Sequence, residues 1–85
     1  MIIRKEKRFQ EEFIALPRKI QLRVVKQLDL FLQNPRHPSL RIRKMEGQKN
    51  IWEGHVTRGY CFTFKISGNI YVFRRIGTHS IYRKP

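Results

Sequence analysis

The chain has 85 residues, which is too short for two hydrophobic cores, so a single domain spanning residues 1–85 is expected. Its 40% hydrophobic content, with six Phe, three Tyr and one Trp, excludes a disordered basic tail and permits a modest core. Nineteen Lys and Arg against six Asp and Glu give a net charge of +13. Such an excess predicts a polyanionic partner, and nucleic acid, an anionic membrane or an acidic protein would each satisfy it.

Cysteine content and hydropathy limit the cellular compartment and the kinds of site that are expected. Cys61 is the only cysteine, which excludes an internal disulfide and a cysteine-based metal site. The opening residues 1–5 contain no apolar stretch long enough for a signal peptide, and no window approaches the roughly 20 apolar residues of a membrane span. A cytoplasmic protein is therefore expected. A basic amphipathic helix is able to lie on a membrane, but the apolar face of the second predicted helix is needed for the core, so no membrane partner is expected.

The first half of the chain has helical periodicity. Ile2 and Ile3 are typical of a short strand, and the residues that follow are spaced for the apolar face of a helix (Phe9, Phe13 and Leu16). Pro17 then suits the first turn of a second helix, whose apolar positions recur at intervals of four and three (Ile20, Val24, Leu28 and Phe31). This helix is expected to end at Asn34, because a residue before proline avoids the α conformation.

The second half alternates apolar and polar residues, which predicts four strands at 40–45, 51–57, 60–66 and 70–76. The resulting order is β-α-α-β-β-β-β, an α+β fold in which a short N-terminal strand and a helical hairpin precede a largely antiparallel four-stranded meander. The hairpin covers one face of the sheet, and the other face is expected to be open. Alternation directs one set of side chains to that open face (Cys61, Thr63 and Lys65).

Basic residues cluster on the predicted strands. They lie on the first meander strand, on the last strand and beyond it (Arg41, Arg43, Lys44, Arg74, Arg75, Arg83 and Lys84). If these side chains share the open face, they form a surface that binds the phosphates of RNA. The alternative is an ordinary solvated face, but few acidic residues on these strands offset the charge.

Aromatic residues and histidines offer further candidates. Several aromatic side chains are able to stack on unpaired bases (Trp52, Tyr60, Tyr71, Phe73 and Tyr82). Most are expected to pack in the core, and Tyr82 is retained because it lies in a polar, basic segment. His55 and His79 are candidate proton carriers near neutral pH, and His79 is favoured because it follows the end of a strand. No two histidines have the spacing of metal ligands, so no metal site is expected.

Short motifs are spread along the chain in a fixed order: Leu16-Pro17, the loop 34–40, Trp52-Glu53, Val56-Thr57, Gly59-Tyr60, Phe62, Ile76-Gly77-Thr78-His79 and Tyr82. This ordered set resembles the RelE/ParE superfamily of bacterial toxin–antitoxin toxins, in its RelE-like branch. The resemblance covers essentially the whole chain. It implies a compact ribonuclease fold, cleavage of messenger RNA on the ribosome without a metal or other cofactor, and inhibition by an acidic cognate antitoxin.

The resemblance also implies roles for particular residues. Arg41 and Arg43 would hold phosphates, and His79 would exchange protons with the substrate. Tyr82 would stack on the RNA or orient it, and Glu53 is a second candidate for the general base.

Other basic positions would support these residues. Arg74 or Arg75 would assist, and Lys44 and Arg83 would add cationic charge to the RNA-binding surface. His55 would also bind RNA, at a position that is often arginine in the family.

The chain departs from the family pattern at Cys61, where the family usually has an arginine that contacts the scissile phosphate. Ser80 likewise stands where close relatives commonly have aspartate. Loss of a charge-assisted contact at a reaction centre costs on the order of 100-fold in rate. The alternative interpretation is therefore a catalytically weak or inactive binding protein of the same fold, or a ParE-like gyrase inhibitor.

Overall fold

The computed structural model describes residues 2–85, which form two helices, a five-stranded sheet and two 3₁₀ turns. The strands are β1 (Ile2–Lys5), β2 (Arg43–Lys44), β3 (Trp52–His55), β4 (Cys61–Ser67) and β5 (Ile70–Gly77). The helices are α1 (Lys7–Ile14) and α2 (Arg18–Gln33), and the 3₁₀ turns span Pro38–Leu40 and His79–Arg83. The predicted α+β fold and element order are confirmed.

The sheet has the strand order β1-β5-β4-β3-β2. Strands β2 to β5 form the predicted antiparallel meander, and β1 adds a parallel edge strand beside β5, with Ile3 opposite Tyr71. A register shift between Thr63 and Phe64 interrupts the pairing of β4 with β5. The pairing passes from Thr63 opposite Arg75 to Phe64 opposite Phe73, so Arg74 is the extra residue of a β-bulge on β5.

The core lies between the helices and one face of the sheet. Phe31 of α2 is fully buried and makes edge-to-face contacts with Phe62, Phe64 and Phe73, with ring centroids 5.3–6.4 Å apart. On β3, a Cβ added to Gly54 would lie 2.3 Å from the Phe62 ring, so only glycine allows this ring to lie against the strand. The strand that carries Glu53 and His55 is thereby fixed against the core.

The helices follow the predicted periodicity. Phe9 and Val24 are buried, α2 ends at Gln33, and Asn34 before Pro35 is extended, as expected. Leu22 and Val25 remain about half exposed, because they lie off the stripe that faces the sheet. No helix within residues 2–85 is long and apolar enough to cross a membrane.

The predicted first meander strand at 40–45 is wrong in extent. Only Arg43 and Lys44 are extended, whereas Leu40 closes the first 3₁₀ turn with its side chain buried in the core. Arg41 then adopts a left-handed conformation, with φ 47° and ψ 47°. Pro38 favours a turn at this point, and burial of Leu40 fixes the direction in which the chain leaves it.

The expectation of an open second face is also wrong for its central part. Cys61 and Thr63 point away from the helices as predicted, yet both are fully buried. The segment 79–85, which includes the second 3₁₀ turn, folds back over them, and we call it the C-terminal segment. Alternation correctly assigned the side chains to the two faces, but it carries no information about what covers the second face.

Candidate functional site

One depression brings together six of the residues proposed from the sequence, and we call it the cationic depression. It has a volume of about 320 Å³ and is lined by Arg41, Arg43, Glu53, His55, His79 and Tyr82. The contributions come from the left-handed turn before β2, from β2 and β3, and from the C-terminal segment. Residues far apart in the sequence therefore form one site.

Glu53 and Arg43 form the fixed centre of the depression. They are directly opposite each other on β3 and β2, and Arg43 Nε lies 2.6 Å from Glu53 Oε1. Only 4% of Glu53 is exposed, so the carboxylate depends on this charge-assisted hydrogen bond in place of water. Arg43 is bound at one edge, while 77% of its side-chain surface remains exposed to receive an anion.

Two histidines and a tyrosine line the opposite side of the depression. The ring centroids of His55 and His79 are 6.3 Å apart, and those of His79 and Tyr82 are 5.5 Å apart. His79 is exposed and lies between the other two rings, whereas His55 is partly buried on β3. The arrangement offers an accessible proton carrier beside a cationic group and a carboxylate.

Partial burial lowers the pKa of His55 below its ordinary value of 6.5. Arg41, His79 and Arg43 lower it further, and the Glu53 carboxylate acts in the opposite direction. His55 is therefore neutral at neutral pH and is able to accept a proton or to donate a hydrogen bond without adding to the positive charge of the site.

This shift predicts a pH dependence of stability. Because the pKa of His55 is lower in the folded state, the unfolded chain binds more protons below pH 6.5, and acid favours unfolding. We expect wild type to lose more stability than His55→Gln as the pH falls from 6.5 towards the folded-state pKa, with no difference in slope above that range. Urea unfolding at a series of pH values measures this, and parallel profiles for the two proteins would contradict it.

Cys61 lies beneath the site and does not project into it. Its thiol is fully buried, 3.7 Å from the carbonyl oxygen of Gly77 and 3.8 Å from that of Thr78. Burial raises the pKa of this thiol, which therefore stays protonated at neutral pH. The expectation that Cys61 faces solvent, where the family has a phosphate-binding arginine, is thus wrong.

Tyr82 covers Cys61. Its hydroxyl oxygen is buried and finds no hydrogen-bond partner among the described residues. Burial, together with the neighbouring Cys61, raises the pKa of Tyr82, so the phenol stays neutral. Tyr82 is suited to ring contacts and to donating a hydrogen bond, and it is unsuited to acting as a base.

Three side chains attach the C-terminal segment to the sheet. Thr63 Oγ1 donates to the Pro85 oxygen at 3.0 Å, and Arg74 Nε donates to the same oxygen at 3.1 Å. Arg75 Nη1 donates to the Lys84 oxygen at 3.1 Å. These contacts hold the segment that carries His79 and Tyr82.

Arg75 is itself held by an acidic side chain of α1. Its guanidinium donates two hydrogen bonds to Glu12, at 2.6 and 3.3 Å, and Glu12 also accepts the backbone N–H of Ile76. These contacts compete with the proposed binding of RNA by Arg74 and Arg75. Both arginines also lie outside the cationic depression.

The remaining basic candidates lie at the edges. Lys44 lines an adjacent hollow together with Arg43, Glu53 and Tyr82, and Arg83 is exposed on the second 3₁₀ turn.

The anchoring roles of Glu12 and Thr63 were not predicted from the sequence. No local signal reveals them, because Glu12 and Arg75 are separated by 63 positions. No three His, Cys, Asp or Glu side chains within residues 2–85 are grouped so that they could hold a metal ion.

We expect Arg75→Ala to lower the free energy of unfolding by about 2 kcal/mol, since it leaves the partly buried Glu12 carboxylate without its partner. Urea unfolding measures the change. Arg58→Ala, in the exposed connection between β3 and β4, is the matched control and should stay within about 0.5 kcal/mol of wild type. Equal stabilities of the two variants would show that the anchor contributes nothing.

Comparison with solved structures shows that this architecture is the RelE/ParE-like toxin fold, as the resemblance in the sequence implies. YafQ from E. coli strain BL21(DE3) superposes with a TM-score of 0.76 at 15% identity, covering 94% of each chain. In the RelB–RelE antitoxin–toxin complex from Methanococcus jannaschii, the matched chain gives 0.77 at 22% identity, covering 96% of this chain and 99% of that one.

A third structure, a YoeB/ParE toxin from Agrobacterium tumefaciens, gives a TM-score of 0.76 at 10% identity, covering 93% of this chain and 99% of that one. No protein-family model matches the sequence. No curated protein matches it significantly either. The similarity to these toxins is thus one of fold, at sequence identities of 10–22%.

Proposed function

We propose that this protein is the toxin of a type II toxin–antitoxin system and a metal-independent endoribonuclease that cuts messenger RNA on the ribosome. The observation that carries the proposal is the cationic depression, in which two arginines, a carboxylate, two histidines and a tyrosine converge on a chain of net charge +13. Phosphate-binding and proton-transfer groups together are what RNA cleavage requires.

In the proposed reaction the ribose 2′-oxygen attacks the adjacent phosphorus. A base takes the 2′-hydroxyl proton, the bond from phosphorus to the 5′-oxygen breaks, and an acid gives a proton to that leaving oxygen. The products are a 2′,3′-cyclic phosphate and a 5′-hydroxyl. Negative charge builds up on the phosphoryl oxygens between these events, so cations positioned beside them lower the barrier.

The role of each residue in this reaction follows from how exposed its side chain is. Arg41 and the exposed part of Arg43 hold the phosphate, and His79, the most accessible ionisable ring, exchanges protons with the substrate. Glu53 is a second candidate for the base, although its ion pair with Arg43 restrains the position of the carboxylate. Tyr82 contacts the substrate through its ring and remains neutral.

The proposed partners follow from charge and from the related structures. A small, strongly basic body suits binding to ribosomal RNA beside the messenger RNA. RelE from Methanococcus jannaschii and YafQ from E. coli occur in complexes with the antitoxins RelB and DinJ. We propose a cognate antitoxin for this chain too, acidic enough to neutralise the cationic depression.

A second candidate is a binding protein of the same fold that has lost catalysis, or one that inhibits gyrase. The observation that favours it is Cys61, since the position at which the family resemblance places a catalytic arginine is buried and uncharged here. In this case the cationic depression would bind a polyanion without cleaving it.

The test is cleavage of messenger RNA by the purified protein on stalled ribosomes and free in solution, with translation in a cell-free system measured in parallel. We expect cuts on the ribosome that end in a cyclic phosphate, and slower translation. Inhibited translation with intact RNA would favour the binding-only candidate. Inhibited DNA supercoiling by gyrase with normal translation would favour the gyrase candidate, and inactivity in all three assays would contradict both proposals.

A further inference from the structure

A second cavity, which we call the aromatic cavity, opens beside the end of α2 and the loop that follows it. It has a volume of about 450 Å³, within the range of pockets that bind small organic molecules. Four aromatic side chains line it (Phe31, Trp52, Phe64 and Tyr71). Phe31 and Phe64 are buried, whereas Trp52 and Tyr71 are partly exposed, so their rings are accessible to a ligand.

The rest of the lining is cationic or apolar, with Arg36, His37 and Arg41 supplying the polar groups and no acidic side chain present. The Nδ1 atom of His37 accepts the backbone N–H of Ser39 at 3.2 Å. When Nδ1 accepts in this way, Nε2 carries the proton of the neutral imidazole and is able to donate. The cavity thus combines stacking surfaces with hydrogen-bond donors and positive charge.

Arg41 belongs to both the aromatic cavity and the cationic depression. Its backbone has a positive φ of 47°, which is uncommon for a residue other than glycine, and its N–H is bound to the Pro38 oxygen at 3.1 Å. This conformation places an exposed arginine between the two hollows. A ligand that holds this guanidinium at one end is able to reach both of them.

We propose that the aromatic cavity binds an unpaired nucleobase of the RNA whose phosphate lies in the cationic depression. The base would stack on Trp52 and Tyr71, and Arg41 would contact the phosphate that connects the two hollows. This inference rests on the proposed function. A nucleotide supplies both a planar ring and a negative charge, whereas an apolar peptide side chain would fill the aromatic walls and leave Arg36 and Arg41 without an anionic partner.

Trp52 is the only tryptophan in the chain, so its fluorescence reports directly on the cavity. The probe is a short, labelled single-stranded RNA with 2′-O-methyl riboses, which prevent cleavage, together with a series in which one nucleotide at a time lacks its base. Anisotropy of the label measures binding, and quenching of Trp52 measures stacking. We expect quenching by the complete RNA. Removal of one particular base should abolish quenching and weaken binding about tenfold.

A pair of matched variants separates the cavity from general RNA binding. Ile66→Phe adds bulk to a partly exposed side chain in the lining, and Ile70→Phe makes the same change on β5, outside the cavity. We expect Ile66→Phe to bind complete RNA about tenfold more weakly and to lose its preference over the base-lacking RNA, while Ile70→Phe behaves as wild type.

The wild-type measurement alone is able to overturn the inference. If RNA binds but every base-lacking RNA binds equally and Trp52 fluorescence does not change, the cavity holds no nucleobase and is left to a protein partner, while the proposed function stands. If no RNA binds at all, the inference is contradicted, and cleavage on stalled ribosomes decides the proposed function by itself.

Discussion

His79→Ala should slow RNA cleavage by about 100- to 10,000-fold, the range typical of removing a general acid or base. His79 is the exposed ring between His55 and Tyr82, whereas His55, the other imidazole of the cationic depression, is partly buried. Single-turnover cleavage on stalled ribosomes measures the effect. Because His79 is exposed, the free energy of unfolding should change by no more than about 0.5 kcal/mol.

Ser80→Ala is the matched control for this prediction. Ser80 is the next residue of the same 3₁₀ turn, is exposed, and forms a hydrogen bond with the Thr78 hydroxyl through its side chain. The Ser80→Ala protein should cleave RNA at the wild-type rate. A His79→Ala protein that cleaves normally would transfer the proton-exchange role to Glu53, for which Glu53→Gln, which keeps the shape of the side chain, is the next variant to measure.

The fold was predictable because its determinants are local and periodic. The apolar stripe of α2 contains Val24 and Phe31, and the alternating apolar residues of β4 include Phe62. Each of these surfaces is buried most favourably against the other. The two errors arose where tertiary structure overrides the local pattern. Leu40 is buried by a turn and not by a strand, and Cys61 and Thr63 are covered by the C-terminal segment, for which alternation carries no signal.

The residues of the candidate site could be predicted from the sequence, but their arrangement in space could not. Arg43, Glu53 and His55 share a face because alternation on paired strands requires it. His79 and Tyr82 join them only because the C-terminal segment folds back, and that depends on Thr63, Arg74 and Arg75 binding backbone oxygens at its end. Contacts of this kind come from tertiary structure and leave no pattern in the sequence.

The folded-back segment changes the meaning of Cys61. The family resemblance suggests that an arginine at this position would restore a phosphate contact. In this protein, however, the side chain points into a fully buried site below Tyr82, and its thiol lies near the carbonyl oxygens of Gly77 and Thr78. Glu53, the nearby carboxylate, already binds Arg43. A guanidinium introduced there would have neither space nor a free partner.

We therefore expect Cys61→Arg to lower the free energy of unfolding by about 4 kcal/mol, from overpacking and from burial of an unpaired charge, or to expel the C-terminal segment. Either outcome moves His79 and Tyr82, so cleavage should fall and not rise. Cys61→Ala, which removes only the sulfur, should cost about 1 kcal/mol and retain activity. Urea unfolding and single-turnover cleavage of both variants decide the matter. A stable Cys61→Arg protein with faster cleavage would show that the segment yields to an arginine at little cost, and that the buried cysteine had limited catalysis.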